Sequence, residues 1–206
     1  SGKSRKPARA IVSHLDTLGA QVKDLKPNGR LELVSIGNWS ARFAEGARVS
    51  IFSSKGTYRG SILPLKASGH TFNEEVDTLP VGWNYIELRV DALARNKEDL
   101  IELGIDVGDI VAVDPMPEFI DNGFIVSRHL DDKAGVAIML ASLEAMQRLN
   151  VETPVDTYWI FTIAEEVGVG ASAAIVPDIA SLVAIDNGTT APGQNSSEFG
   201  VTLAMA

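Results

Sequence analysis

The chain has 206 residues, of which 45% are hydrophobic and 22% charged, as expected of a globular protein with a buried core. Its formal charge of −9 argues against nucleic acid or an anionic membrane as a partner, and no apolar run reaches the roughly 20 residues of a bilayer span. The absence of cysteine excludes disulfides and thiolate metal sites, so any bound metal would need His, Asp and Glu ligands. We expect a cytoplasmic location, since the N-terminus lacks the pattern of a secretory signal.

The first predicted element is a short buried strand that ends in His14 and Asp16. Side chains two residues apart on a strand point the same way, so these two side chains should be neighbours. An imidazole nitrogen is a good metal ligand, and a nearby carboxylate is the usual group that fixes its orientation. On its own, however, this short pattern is more often a hydrogen-bonded strand end than a metal site.

Residues 20–122 alternate short apolar runs with turn signals, which is typical of a small β-rich domain. The region from residue 64 to residue 80, which contains His70, has no clear periodicity and is predicted to be a loop. The predicted strands are 31–36, 48–53, 58–63, 85–91 and 109–114, with one brief helix near 97–103.

From residue 124 onward, strand patterns alternate with helix patterns, which predicts a parallel sheet covered by helices on both faces. We therefore expect an α/β fold whose parallel or mixed sheet has flanking helices, with an inserted β-barrel-like domain. The predicted domains are residues 1–19 with 124–206, and the insertion at 20–123. The predicted elements after the insertion are strands at 124–126, 155–163 and 181–185 and helices at 133–150 and 170–176.

Acidic and imidazole groups follow four predicted strands. In open α/β sheets, ligands bind at the carboxyl ends of the strands, where these groups would lie together. A helix cap accounts for one of the two adjacent aspartates, but not for both. Converging carboxylates repel one another unless a cation lies between them, so the sequence predicts a site for one or two divalent metals that activate water. The groups are His14 with Asp16, Asp131 with Asp132, Glu165 with Glu166, and Asp186.

Four motifs resemble those of the dinuclear metallo-aminopeptidases of metallopeptidase family forty-two, the tetrahedral aminopeptidases. The resemblance covers nearly the whole chain and implies an enzyme that removes N-terminal residues from peptides. It also implies a homo-oligomer, such as a tetrahedral dodecamer, in which the inserted domain supplies contacts between subunits. The motifs are SHLDTLG at 13–19, RHLDDKAG at 128–135, EEVG at 165–168 and AIDNG at 184–188.

The same resemblance implies two divalent metal ions per subunit, zinc or cobalt, with manganese as a further option. His14 and Asp186 would bind one ion and Glu166 the other, while Asp131 would bridge both. Asp16 would orient the catalytic centre, and Glu165 would act as general base and general acid.

The chain departs from this family in two respects. The family's second metal takes a final His downstream, and no His follows His129 here. The family also has further helical sequence before the first His-x-Asp motif, which here lies only 13 residues from the start. We expect that ligand to lie in a longer protein, in which case this exact chain is inactive; His129 or His70 are the substitutes within it. Two alternatives remain, a deacylase of small amino-acid derivatives and a non-catalytic assembly module. The presence of Glu165 argues against the second.

Overall fold

The computed structural model describes residues 5–205, which cluster into two compact units. The first unit combines the described residues up to Thr17 with those from His129 onward, and the second is the segment Leu18–Arg128. Residues 1–4 and 206, which belong to the predicted domain formed by 1–19 and 124–206, lie outside the described residues. Within the described part, no helix is both long and apolar enough to cross a membrane.

The strands and helices are numbered in chain order. The strands are β1 (Ala8–His14), β2 (Gly19–Leu25), β3 (Arg30–Ile36), β4 (Arg48–Ser53), β5 (Gly56–Pro64), β6 (Ile86–Val90), β7 (Ile110–Val113), β8 (Glu118–Phe119), β9 (Ile125–Val126), β10 (Thr157–Thr162) and β11 (Ile179–Ala184). The α-helices are α1 (Gly69–Phe72), α2 (Glu75–Thr78), α3 (Lys97–Glu102) and α4 (Leu130–Arg148), and short 3-10 turns cover Ala41–Phe43, Trp83–Tyr85 and Ala171–Ala173.

The first unit contains a sheet of three parallel strands in the order β10-β1-β11, which confirms the prediction of a parallel sheet in an α/β fold. Strand β1 is central because both of its edges are hydrogen-bonded, and its apolar side chains Ala8, Ala10 and Val12 are buried. The prediction that the sheet is covered on both faces is wrong for β11, where Val183 is 57% exposed. Apolar composition predicts that a strand prefers burial, but it does not supply the covering element.

Helix α4 packs on β1 through a narrow stripe that includes Val136 and Met139, which are three residues apart on one face of the helix. The predicted helix at 133–150 is confirmed, and Ile138 and Leu140 lie outside the buried stripe, since each is 54% exposed. The second predicted helix, at 170–176, is only the 3-10 turn Ala171–Ala173. Its sequence is too short for a stable helix before Pro177 interrupts the pattern.

The second unit contains a closed antiparallel barrel in the order β2-β3-β6-β5-β4-β7. Alternate residues of its strands point inward, as Leu31 and Leu33 of β3 and Val49 and Ile51 of β4 do, and these four side chains are almost completely buried. The predicted loop at 64–80 contains the short helices α1 and α2.

One predicted strand lies elsewhere than expected. Residues 124–126 do not begin the parallel sheet; instead β9 pairs antiparallel with β8 in a two-stranded ribbon of the second unit. A three-residue apolar run does not reveal its partner strand, and Phe124 and Ile125 are both more than half exposed. The groups at Asp131 and Asp132 therefore lie at a helix start, not at the end of a sheet strand.

Candidate metal centre

The parallel sheet brings three chain segments together at the carboxyl ends of its strands. His14 is the last residue of β1, Glu165 follows β10 by three residues, and Asp186 follows β11 by two. Because the strands run parallel and in register, their carboxyl ends are neighbours. The His14 Nε2 atom lies 3.8 Å from a carboxylate oxygen of Glu165 and 3.8 Å from one of Asp186.

The backbone fixes the orientation of the His14 ring. Nδ1 lies 3.0 Å from the carbonyl oxygen of Asp16, and since a carbonyl can only accept, Nδ1 carries a proton and donates it. In the neutral ring, Nε2 then has a free lone pair, which faces Oδ1 of Asp131 at 3.0 Å as well as Glu165 and Asp186. This arrangement is typical of an imidazole that ligates a metal through Nε2.

The adjacent Asp131 and Asp132 have different surroundings. Both have non-helical backbone angles, so the regular geometry of helix α4 begins at Lys133. Asp132 is fully buried, and its Oδ1 accepts a hydrogen bond of 3.0 Å from Gly135 N–H, as an N-cap side chain does. Asp131 instead directs its carboxylate to His14. One aspartate therefore caps the helix and the other is available to a ligand.

Asp132 is also bonded to the end of β1. Its Oδ2 accepts from the Ser13 hydroxyl at 2.5 Å and from the His14 backbone N–H at 3.3 Å. Ser13 and Asp132 are both buried, so these bonds form away from solvent. The sequence predicts no individual role for Ser13 or Gly135 beyond their places in the motifs at 13–19 and 128–135.

The Glu165–Glu166 turn is held by Asp16. The Asp16 carboxylate accepts from the backbone N–H of Glu165 at 3.1 Å and from that of Glu166 at 3.0 Å. Gly168 closes the turn, donating from its N–H to the Glu165 carbonyl at a φ of 80° that favours glycine. The backbone is thereby fixed so that both glutamates follow the end of β10.

The side chains of the two glutamates differ in their surroundings. Glu165 is about half exposed, whereas Oε1 of Glu166 is buried and has no hydrogen-bond partner among the described residues. Burial, then the negative charge of Asp131, raises the pKa of Glu166 above its ordinary value, and His14 offsets this only in part. An unpaired buried carboxylate oxygen is unfavourable unless a cation or a proton completes it.

The pKa of His14 also indicates that the site favours a positive charge. Burial alone would lower the pKa of His14, but the hydrogen bond to Asp16 and the charges of Asp186 and Asp131 outweigh burial and raise this pKa. The site therefore attracts positive charge to Nε2.

These residues fit a divalent metal. His14, Asp131 and Glu166 each offer a ligand atom, and these atoms lie within 4.8 Å of one another. A second set, His14 with Asp132 and Asp186, meets the same distance limit. We favour Asp131 over Asp132 as a ligand, because Asp132 already accepts three hydrogen bonds from the chain.

The two histidines considered as substitute ligands belong to neither set. His129 is the residue before α4, with a left-handed φ of 63°. His70 lies in α1 of the second unit and is exposed.

A cavity of about 300 Å³ opens beside the candidate centre. Its lining includes the polar side chains of His14, Glu165 and Asp186 and apolar side chains such as Val12 and Leu182. A small molecule can therefore approach the carboxylates from within the first unit.

The chain is similar in sequence to proteins of one known family. The profile of a family described as M42 glutamyl aminopeptidase matches residues 1–205. "Putative aminopeptidase YhfE" of Bacillus subtilis strain 168 is 35% identical over 205 residues, which are 99% of this chain and 59% of that protein.

Solved structures share the fold. A TET aminopeptidase from a marine sediment Thaumarchaeota archaeon superposes with a TM-score of 0.81 at 24% identity, covering 94% of this chain and 54% of that one. The Pyrococcus horikoshii TET1 peptidase gives 0.79 at 21% identity, covering 97% of this chain and 58% of that one. The chain thus spans somewhat more than half the length of these relatives.

Proposed function

The chain belongs to the M42 glutamyl aminopeptidase family, and from that premise we propose that it forms part of a metal-dependent aminopeptidase that hydrolyses N-terminal residues from peptides. The observation that carries the proposal is the lone pair of His14 Nε2, which faces three carboxylates beside the unpaired Glu166 oxygen. A centre built from one imidazole and several carboxylates suits a divalent cation.

We assign the ligands as the family resemblance implies: His14 and Asp186 to one metal, Glu166 to a second, and Asp131 to both. When bound, two such ions supply Lewis acidity, which polarises the scissile carbonyl and makes a water molecule more acidic. Zinc or cobalt are the proposed ions. The short distances from Asp131 and Asp186 to His14 support these assignments.

The remaining chemistry is proton transfer, which we assign to Glu165. Its half-exposed carboxylate lies 3.8 Å from His14 Nε2 and lines the cavity, so it can accept a proton from water and deliver it to the leaving amine. Asp16 contributes by holding the backbone of Glu165 in place.

We further propose that residues 20–123 are an inserted domain and that it supplies contacts in a homo-oligomer. The compact clustering of Leu18–Arg128 supports the first part of this proposal. The Pyrococcus horikoshii TET1 peptidase is described as able to assemble into a tetrahedron or a large octahedral shell, which supports the second. Sedimentation with metal present tests it, and a monomer at micromolar concentration would contradict it.

Activity is tested by release of amino acids from short peptides with free or acetylated N-termini, before and after chelation. Because the chain spans little more than half of its relatives, the assay compares the 206-residue chain with the longest natural polypeptide that contains it. Cleavage of free peptides that chelation abolishes supports an aminopeptidase. Cleavage of the acetyl group alone would indicate a deacylase, and no cleavage by either polypeptide would contradict the proposal.

A further inference from the structure

We propose that Ser13, Asp132 and Gly135 form a clamp that sets the distance between His14 and Asp131, and that they are therefore positioning residues for the metal centre. This inference rests on the proposed function, since it concerns the same site. The three clamp residues are distinct from the six residues to which metal binding or catalysis was assigned.

The clamp consists of hydrogen bonds to one buried carboxylate. Oδ2 of Asp132 accepts from Ser13 Oγ at 2.5 Å and from His14 N at 3.3 Å, and Oδ1 accepts from Gly135 N at 3.0 Å. Strand β1 supplies the first two donors and helix α4 the third. A fully buried carboxylate with three donors has a defined position, so it fixes the strand end relative to the helix start.

The residues next to the clamp are proposed metal ligands. His14 follows Ser13, and Asp131 precedes Asp132, so the same two dipeptides are joined twice. The clamp holds the dipeptides together inside the protein through hydrogen bonds. At the site, His14 Nε2 and Asp131 Oδ1 lie 3.0 Å apart. A shift of Asp132 away from Ser13 therefore changes the separation of the two ligands.

Gly135 is needed for the clamp because of space. A Cβ atom at this position would lie 2.3 Å from Oδ1 and 2.6 Å from Oδ2 of Asp132, well inside van der Waals contact. Gly135 needs no left-handed φ, and glycine is otherwise unfavourable within a helix, so carboxylate approach is the physical reason for it.

The competing interpretation is that Asp132 itself ligates a metal with His14 and Asp186. The two interpretations differ in the effect of the Ser13 hydroxyl. In the clamp, this hydroxyl holds the carboxylate in place, and its removal weakens metal binding. If Asp132 is a ligand, the hydroxyl competes with the metal for Oδ2, and its removal leaves binding unchanged or makes it tighter.

The experiment measures Zn²⁺ binding to the 206-residue chain by competition with a chromophoric chelator, together with thermal unfolding of the metal-free protein. We expect Ser13→Ala to weaken Zn²⁺ binding about 10–100-fold, the range seen when groups that orient metal ligands are removed. Ser142→Ala is the matched control, because its hydroxyl donates only to the Ile138 carbonyl on the exposed side of α4. It should bind Zn²⁺ within twofold of the unchanged chain.

Gly135→Ala provides a second, independent change that adds no polar group and removes none. We expect it to weaken Zn²⁺ binding to a similar extent. Because both changes act through the Asp132 carboxylate, the double variant should lose less affinity than the product of the two single losses. If Ser13→Ala does not fold, Gly135→Ala still tests whether the position of Asp132 controls Zn²⁺ binding. A crystal structure of the Zn²⁺-bound protein then separates the two interpretations, since an Asp132 oxygen within about 2.2 Å of the ion would overturn the clamp.

Three results would overturn the clamp while leaving the metal centre intact: Ser13→Ala or Gly135→Ala binding Zn²⁺ like the unchanged chain, a lowered unfolding temperature with unchanged affinity, or single losses that simply multiply. If neither the 206-residue chain nor the longest natural polypeptide that contains it binds Zn²⁺, the proposed metal centre is itself wrong, and the clamp with it. The two failures are therefore distinguishable.

Discussion

Nε2 of His14 and Oδ1 of Asp131 lie 3.0 Å apart, although neither atom carries a proton when the imidazole is neutral. The ring proton is held on Nδ1 by the Asp16 carbonyl, so two lone pairs face each other. Such a contact is favourable only with a cation or a proton between the atoms.

Zn²⁺ should stabilise the chain against heat, because a ligand that binds only the folded state raises the unfolding temperature. EDTA should reverse the effect. His14→Ala should abolish the Zn²⁺ response, whereas His70→Ala, an exposed histidine of the other unit, should retain it. Differential scanning calorimetry with and without Zn²⁺ measures both, and a His14→Ala variant that still responds would contradict the assignment.

Glu165→Gln and Glu166→Gln should have different effects. Glu165→Gln removes the proposed proton-transfer group, so turnover should fall roughly 10²–10⁴-fold while bound metal is retained. Glu166→Gln should instead lower metal content. Peptidase assays and metal analysis, run on the longest natural polypeptide, separate the two, with Glu144→Gln on the exposed side of α4 as control. If the two effects were exchanged, so would be the two roles.

Asp16→Asn should loosen the Glu165–Glu166 turn. The Asp16 carboxylate offers one oxygen to each of two backbone N–H groups, whereas an amide has a single acceptor oxygen. We expect a loss of about 1–3 kcal/mol in the free energy of unfolding, measured in urea. The exposed Asp77→Asn should change it little. Equal stability of the two variants would show that the turn does not depend on Asp16.

The barrel core should be sensitive to truncation. Leu88 is completely buried, so Leu88→Ala should cost about 2–5 kcal/mol. Leu93 is 90% exposed, and Leu93→Ala should stay within roughly 0.5 kcal/mol of the unchanged chain. Fluorescence reports this unit well, since the Trp39 and Trp83 rings lie 5.0 Å apart within it. Comparable losses would mean that the assigned core is wrong.

The barrel should also lose stability in acid. Hydrogen bonding to the Arg59 guanidinium lowers the pKa of Asp114, as Arg48 lowers that of Asp91. A folded pKa below the ordinary 3.8 means that stabilisation is present above that pH and is lost as the pH falls through the folded pKa. Asp114→Asn should therefore reduce the slope of unfolding free energy against pH in this acidic range. An unchanged slope would exclude Asp114 as a contributor.

The sequence predicts the site better than its surroundings. His14, Glu165, Glu166 and Asp186 are chemically distinctive and follow neighbouring parallel strands, so their convergence follows from the pattern of strand ends. Asp131 joins them from the start of helix α4, which that pattern does not predict. The structure brings all five together, while their individual roles stay predictions.

The features that the sequence could not predict depend on which other segment of the chain a residue contacts. Phe124–Val126 has the composition of a sheet strand but pairs in a ribbon, because a short apolar run does not encode which strand it meets. Ser13 opens the SHLDTLG motif, but the motif does not indicate which group its hydroxyl contacts. Its role depends on Asp132, more than a hundred residues later in the chain.

The closed six-stranded barrel of the second unit limits how the barrel can bind another molecule. Every strand of the ring is paired on both sides, so the ring presents no edge onto which a foreign strand could be added. Self-association through the barrel must then use side-chain surfaces, and conversion of the barrel to fibrils requires that it first open. The three-stranded sheet differs, because β10 and β11 each have one edge without a partner strand among the described residues. Strand exchange between copies of this chain is therefore expected to begin at these edges or at the short β8–β9 ribbon, and not at the barrel.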